Sequence, residues 1–372
     1  MIKHIINGHI KYSSLLLIIF MLIPGCESDK DKNVTGALFY RKPGDFESIT
    51  IDSDSIGVAA TYKYRIGKVP YTLAGRYKNA TAFSVFKFSK PGQSILDSLV
   101  TAKFKVNISE VWKNGDIEFG LYNTISDWSD TTRLDPERFL PDITDTISAF
   151  SDTSSTLSSL IFNLNADIFD LWSEHGTFLI KNTDTGEAMV SLYSDNSTSI
   201  PFMELVTENA YGFRDTTTVR SIEGAYYFNT DVDTDNPILS NGDATGFVLN
   251  INIPDFTSPP VAINECVLTL FLKENLIATG EIAVTIYRLT EEFTTIEDTE
   301  TDYGSFINLE IKPGINTYNI DISNYINAWH NLKEPAYGIL FKPVEISKTP
   351  DYAVIEPSDS LVVKYTTLPE VE

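Results

Sequence analysis

Two stretches of this chain are written to one pattern, and a duplicated pattern restricts the fold more than any single residue does. From Ile315 to Lys342 the chain reads INTYNIDISNYINAWHNLKEPAYGILFK. Tyr318, Ile320 and Ile322 alternate with polar residues, which predicts a strand with one buried face. Ser323 is placed to cap the backbone N–H groups that follow. Tyr325, Ile326 and Trp329 fall at i, i+1 and i+4, one face of a helix of about two turns. Asn331 and Pro335 end that helix, and Tyr337 to Lys342 resumes a strand. Earlier in the chain Leu160, Phe162 and Leu164 alternate in the same way. Ile168, Phe169 and Trp172 repeat the triplet, and GTFLIK at Gly176 to Lys181 answers GILFK at Gly338 to Lys342.

The flanking segments repeat too. Ala82 to Phe88 (AFSVFKF) aligns with Phe247, Leu249, Ile251 and Ile253, and Leu99 to Val106 aligns with Cys266 to Leu272. Gly115, Ile117, Phe119, Leu121 and Tyr122 align with Gly280, Ile282, Val284, Ile286 and Tyr287. Phe202 to Val206 aligns with Leu361 to Tyr365. Short strands broken by turns such as Lys90-Pro91-Gly92 and Asn114-Gly115 indicate an all-β protein rather than a parallel α/β sheet. A period of roughly 160 residues lies far beyond the 20–50 of solenoid arrays. The expectation is therefore two tandem antiparallel β-sandwich, jelly-roll-like domains, each with one short helix before a late strand. Their boundaries are 35–207 and 208–368, followed by a tail at 369–372. Residues 129–156, rich in Ser, Thr and Asp, are expected to form a long exposed connection.

This order of segments, with SDWSDT at Ser126 to Thr131 and YNIDISNYINAW at Tyr318 to Trp329 as its best pieces, resembles the DNRLRE-type domain. That family comprises β-sandwich modules of bacterial secreted and surface proteins, some attached to polysaccharide-degrading enzymes and acting as carbohydrate-binding modules. The resemblance covers most of both copies and implies a noncatalytic binding role. The second copy has Phe293 where the first has Trp128, and the first has Asn165-Ala166-Asp167 where the second has the Ser323 cap.

At its amino end Lys3, His4 and Lys11 precede an apolar run from Leu15 to Ile23, too short to span a bilayer comfortably. Residues 1–25 read as a secretory signal. Ile23-Pro24-Gly25-Cys26 resembles a bacterial lipobox, which would make Cys26 a lipidated N-terminus anchored by its acyl chains. An ordinary cleaved signal and an uncleaved anchor are the other readings. Residues 26–34 would form a flexible polar tether. Glu27 and the acidic–lysine stretch after it resemble surface-export signals of lipoproteins of the Bacteroidetes type, which points to the outer membrane. The formal charge of −23 becomes more acidic still once Lys3 and Lys11 are removed. Such a surface repels phosphates, so no nucleic acid is expected as a partner.

The chemistry-bearing residues are few. His175 and His330, the histidines after the signal, each follow a short helix, where the dipole favours imidazolium. Cys266 reads as a small buried hydrophobe. No phosphate loop, nucleophile elbow or metal-spaced histidine pair is present. Asp231, Asp233 and Asp235 alternate in a loop and read either as a structural calcium site or as a solvated turn. Among the tryptophans, Trp172 and Trp329 belong to apolar helix faces, whereas Trp112 and Trp128 lie beside loops and are the candidates for stacking on sugars. The leading expectation is a noncatalytic lipoprotein that binds glycan or extracellular matrix, with no cofactor beyond the calcium reading. A structural or adhesive envelope lipoprotein with a protein partner comes second, and a polysaccharide-active enzyme third.

Overall fold

A computed structural model describes residues 46–52, 55–63, 69–124, 128, 143–152, 157–183, 187–232, 234–254, 261–295, 299–344 and 349–367. The signal, Cys26 and the tether lie outside them. The chain is nearly all β, in two curled sheets of eleven strands each, and every pairing among the described residues is antiparallel.

The first sheet runs β12 (Arg214–Arg220), β11 (Phe202–Glu208), β5 (Leu99–Lys113), β10 (Ala188–Tyr193), β3 (Tyr71–Tyr77), β4 (Ala80–Ser89), β9 (His175–Asn182), β6 (Ile117–Thr124) and β7 (Ile143–Asp152). Off this path β8 (Ser159–Leu164) pairs with β5, and β13 (Glu223–Thr230) pairs with β4. The second sheet has the same order: β1 (Phe46–Asp52), β22 (Ser360–Thr367), β16 (Val261–Leu276), β21 (Tyr352–Pro357), β14 (Ile238–Ser240), β15 (Thr245–Ile251), β20 (Ile339–Pro343), β17 (Ile282–Leu289) and β18 (Thr301–Ile311). Here β19 (Thr317–Asp321) pairs with β16, and β2 (Ile56–Lys63) pairs with β15.

One long strand closes each sandwich. The first half of β5 pairs with β11 and β8, and its second half pairs with β10, so a single strand passes from one layer to the other. Its counterpart β16 does the same with β22, β19 and β21. Each curled sheet encloses its own core. In the first, Phe104 stacks on Phe162 and Phe178, with Phe88 edge-on to it, and Trp172 packs on Phe178. In the second, Phe247 and Phe341 stack at 4.4 Å between ring centroids, and Tyr325, Ile326 and Trp329 close the bottom.

The helices differ between copies. The second copy has an α-helix, α2 (Ser323–Asn331), whereas the first has only a six-residue 3-10 helix, Ala166–Leu171. A short helix α1 (Gln93–Leu96) lies between β4 and β5. Ser323 does not cap α2. Its hydroxyl accepts the Cys266 amide at 2.8 Å and is held by Asp321, so it ties the helix to β16 instead. The stretch expected to be a connection from 129 to 156 contains β7, which pairs along β6 at the sheet edge, with Thr146 and Ser151 exposed.

The sheets do not divide at 207/208. β12 and β13, which follow that point, pair with β11 and β4 of the first copy. β1 and β2, which precede the first copy, pair with β22 and β15 of the second, in registers such as Thr50↔Val362 and Phe247↔Thr61. Each copy is thus finished by two strands that belong, by sequence order, to the start of the other. In the first sandwich they arrive through the tight turn Asn209–Phe213. In the second they come from the opposite end of the chain, as a clasp. Ile51 enters the second core, Ile49 and Ile56 pack against it, and the Tyr62 hydroxyl donates to the Phe341 carbonyl at 2.8 Å.

The two bodies meet through a smaller apolar cluster. Leu73, Ala82, Trp112, Met189, Tyr226 and Phe228 of the first pack with Leu276, Tyr352 and Val354 of the second. The Tyr226 hydroxyl donates to the Gly242 carbonyl, and a Cβ at residue 242 would lie 2.4 Å from the Phe228 ring, so glycine lets the loop approach. Asn79 Nδ2 and the Tyr352 hydroxyl both donate to Glu274 Oε1, at 2.9 and 3.1 Å.

Candidate functional site

Of the two tryptophans expected at loops, neither is a free platform. Trp128 is 4% exposed. It folds over the outer face of the first sheet, among Phe83, Val85, Leu179 and Ala225. Its indole N–H donates to Thr177 Oγ1 at 3.0 Å, and Lys87 Nζ, which lies over the ring, donates to its carbonyl at 2.8 Å. Phe293 takes the equivalent place on the second sheet, against Tyr62, Val248, Leu289 and Leu340. Both residues seal a sheet face, which is why the pattern repeats. The tryptophans expected in the cores are there: Trp172 and Trp329 are buried, and the Trp172 indole donates to Asn123 Oδ1 at 3.0 Å.

Trp112 sits at the end of β5, 9% exposed, where the two sandwiches meet. Beside it is a cleft of about 490 Å³, lined by Glu110 and Trp112 from the first body and by Ala278, Thr279, Gly280, Glu281, Ala283 and Thr349 from the second. The size suits a small or chain-like ligand. The wall from Ala278 to Glu281 is the β16–β17 turn, in which Gly280 takes a φ of 114°, a conformation that favours glycine.

Asp351 fixes this wall from behind. Fully buried, it accepts the Ala278 amide at 2.5 Å and the Thr279 hydroxyl, while its own carbonyl accepts the Asn241 amide at 3.0 Å. Burial pushes its carboxyl above the usual range, and the hydrogen bonds it accepts oppose that shift without cancelling it. A carboxyl raised in the folded state contributes stability below its unfolded pKa and loses it as pH rises through the folded value. Asp351→Asn, which keeps the neutral form, is therefore expected to raise Tm at about pH 7 relative to that at about pH 4, compared with the parent chain. Thermal unfolding at both pH values checks this; an unchanged difference contradicts it.

The acidic loop is only partly described. The Asp231 amide donates to the Asn79 carbonyl at 2.7 Å, and Asn229 Nδ2 donates to its carboxylate at 3.3 Å. Asp233 lies outside the described residues. Among the described residues no three His, Cys, Asp or Glu groups gather as a metal would require. The histidines are not equivalent: His330 is buried in the last turn of α2, and His175 is the exposed first residue of β9.

Sequence reading passed over a third group of aromatics, because it sought platforms only among tryptophans. Tyr287 on β17 is the register partner of Phe306 on β18. Tyr303 meets the same ring edge-on at 5.8 Å, and Phe306 lies 6.3 Å from it. Tyr303 is 75% and Phe306 53% exposed, on the outer face of an edge strand. Nearby, Arg288 is buried and paired with Asp302 (2.7 Å) and Glu334; the Arg288 guanidinium, helped by the Gly304 amide, holds the Asp302 carboxyl below its ordinary range. The signal that could have found this exposed group is the divergence of the copies: where the second has Phe306 opposite Tyr287, the first has Thr146 opposite Tyr122.

No family model matches the sequence, no curated protein matches it, and no solved structure matches the fold.

Proposed function

We propose that this chain is a noncatalytic, lipid-anchored protein of a bacterial outer membrane that binds glycan through its β-sandwich bodies. The observation that carries the reading is the cleft between them, which Trp112 lines together with the acidic residues Glu110 and Glu281. An indole beside carboxylate acceptors is the chemistry that holds a polyhydroxylated ligand: the ring takes the C–H groups and the carboxylates take the hydroxyls. The resemblance to DNRLRE-type modules supports the same reading. Lipidation at Cys26 would place the bodies on the membrane through a tether that leads into β1.

The test is affinity electrophoresis of residues 27–372 through gels containing neutral polysaccharides of several linkages. Retardation by at least one is expected. Glu110→Gln/Glu281→Gln, which keeps shape and removes charge, is expected to weaken it by about 1–3 kcal/mol, the size of a charged hydrogen bond lost. Migration unaffected by every polysaccharide would turn the reading toward an adhesive role with a protein partner.

A further inference from the structure

Tyr303 and Phe306 have no part in either core cluster of the second sandwich, and the first has Thr146 where the second has Phe306; Tyr287, the counterpart of Tyr122, packs against Tyr62, Val248, Leu289 and Leu340. A surface ring on an edge strand gains no packing and adds a risk of edge-to-edge association. Here the strand that carries the rings is held rigidly. The Tyr325 hydroxyl, rising from α2 through the core, lies 3.0 Å from both the Ile286 and Ser305 carbonyls and so bridges β17 to β18 between the two exposed rings. The first copy has Ile168 at the equivalent place and no such bridge. On the other side of Tyr303, Arg288 holds Asp302, whose carboxylate also accepts the Gly304 amide at 3.0 Å. Tyr303 is thus fixed from both flanks.

The register sets out what else faces the same way. Leu340, Tyr287 and Phe306 form one row across three strands, and Lys342, Thr285 and Asn308 form the next. Rows on one face lie about 7 Å apart; Leu340 and Thr285 are buried, so the accessible part of this face sets Phe306 and the half-buried Tyr287 beside the exposed Asn308 and the half-buried Lys342. We propose that this face is a second binding platform, whose ligand is a neutral pyranose chain lying along the rings with its hydroxyls toward Asn308 and Lys342. The proposal rests on the glycan reading above and adds a site distinct from the cleft.

Other occupants fit less well. Three rings fall well short of the roughly 800 Å² per partner of a stable protein interface. A second copy facing this surface would bring Asp302 and Glu310 against their own counterparts, on a chain of net charge −23. The same charge repels anionic lipid and acidic polysaccharide, whereas a neutral polyol meets no such barrier.

The test compares the parent chain with Tyr303→Ala/Phe306→Ala by affinity electrophoresis in the same neutral polysaccharides, with circular dichroism and thermal unfolding to show that the fold is kept. Both side chains are largely exposed, so the midpoint should move little. At least a tenfold loss of affinity for one polysaccharide, with Glu110→Gln/Glu281→Gln retaining part of the binding, is the expected result. Equal affinity of parent and Tyr303→Ala/Phe306→Ala, while the parent binds, overturns the platform and leaves the glycan reading standing. No retardation of the parent by any neutral polysaccharide overturns both.

Discussion

A chain beginning at Val69 is expected to fold its first sandwich and lose its second. Everything the first needs, β3 through β13, lies in residues 69–232, and its core draws on no residue before Ala74. The second needs β1 and β2. Without them the edge of β22 and one side of β15 are bare, and Ile51 leaves the core. Fully burying a side chain of this kind contributes about 1.5–3 kcal/mol. Ile51 and Tyr62, with partial contributions from Ile49 and Ile56, therefore amount to a loss on the order of 5 kcal/mol. Whole-domain stabilities are roughly 5–15 kcal/mol, so the second sandwich should be largely unfolded or aggregated through its open edges. Denaturant unfolding of residues 69–372 should show one native-like body and one that has lost its cooperative transition. Adding a synthetic peptide of residues 46–63 should restore that transition in a concentration-dependent way. A full pair of transitions without the peptide would contradict the assignment.

The second large effect is expected at Gly176. A Cβ built there would fall 1.7 Å from the Trp172 indole, which no small adjustment relieves. Either β9 shifts from its pairing with β4 or Trp172 leaves the core, where it packs on Phe169 and Phe178. Gly176→Ala should cost about 3 kcal/mol or more, comparable to losing a buried aromatic. Trp172→Ala alone should cost a similar amount, but the double variant should cost much less than the sum, because the clash and the packed ring disappear together. Chemical denaturation of the four chains measures the coupling. Additive losses would mean that the two residues do not share the space described.

How far these features could be read beforehand differs from element to element. The duplication was legible because Tyr318-Ile320-Ile322 and Leu160-Phe162-Leu164 carry strong alternation, and the Trp172 and Trp329 triplets carry a helix face. The correspondences drawn between strands hold in the identical sheet orders. The exchange of leading strands was not legible. FESITID and IGVAATYK carry ordinary strand composition, and nothing local in either indicates that its partner lies near residue 366 or residue 247. β7 was hidden because its Ser, Thr and Asp side chains are those of a loop; only its pairing with β6 makes it a strand. Trp128 looked free because its loop is polar, while the residues that bury it, Thr177, Lys87 and Phe83, are distant in sequence. Tyr303 and Phe306 were visible as letters but not as a surface, since their exposure depends on β18 being the last strand of its sheet.

The first strand closes the last sandwich, and a disulfide across that seam tests this most directly. Thr50 and Val362 are register partners on β1 and β22, both facing solvent. Thr50→Cys/Val362→Cys, made in residues 27–372 where Cys266 is buried, should form an intrachain disulfide in the folded protein and raise Tm. Thr50→Cys/Lys364→Cys, two residues out of register, should form it poorly. Rapid oxidation of the register pair and not of the shifted pair, in monomer separated by size, is the expected result. Equal oxidation of both pairs, or of neither, would mean that β1 does not lie on β22.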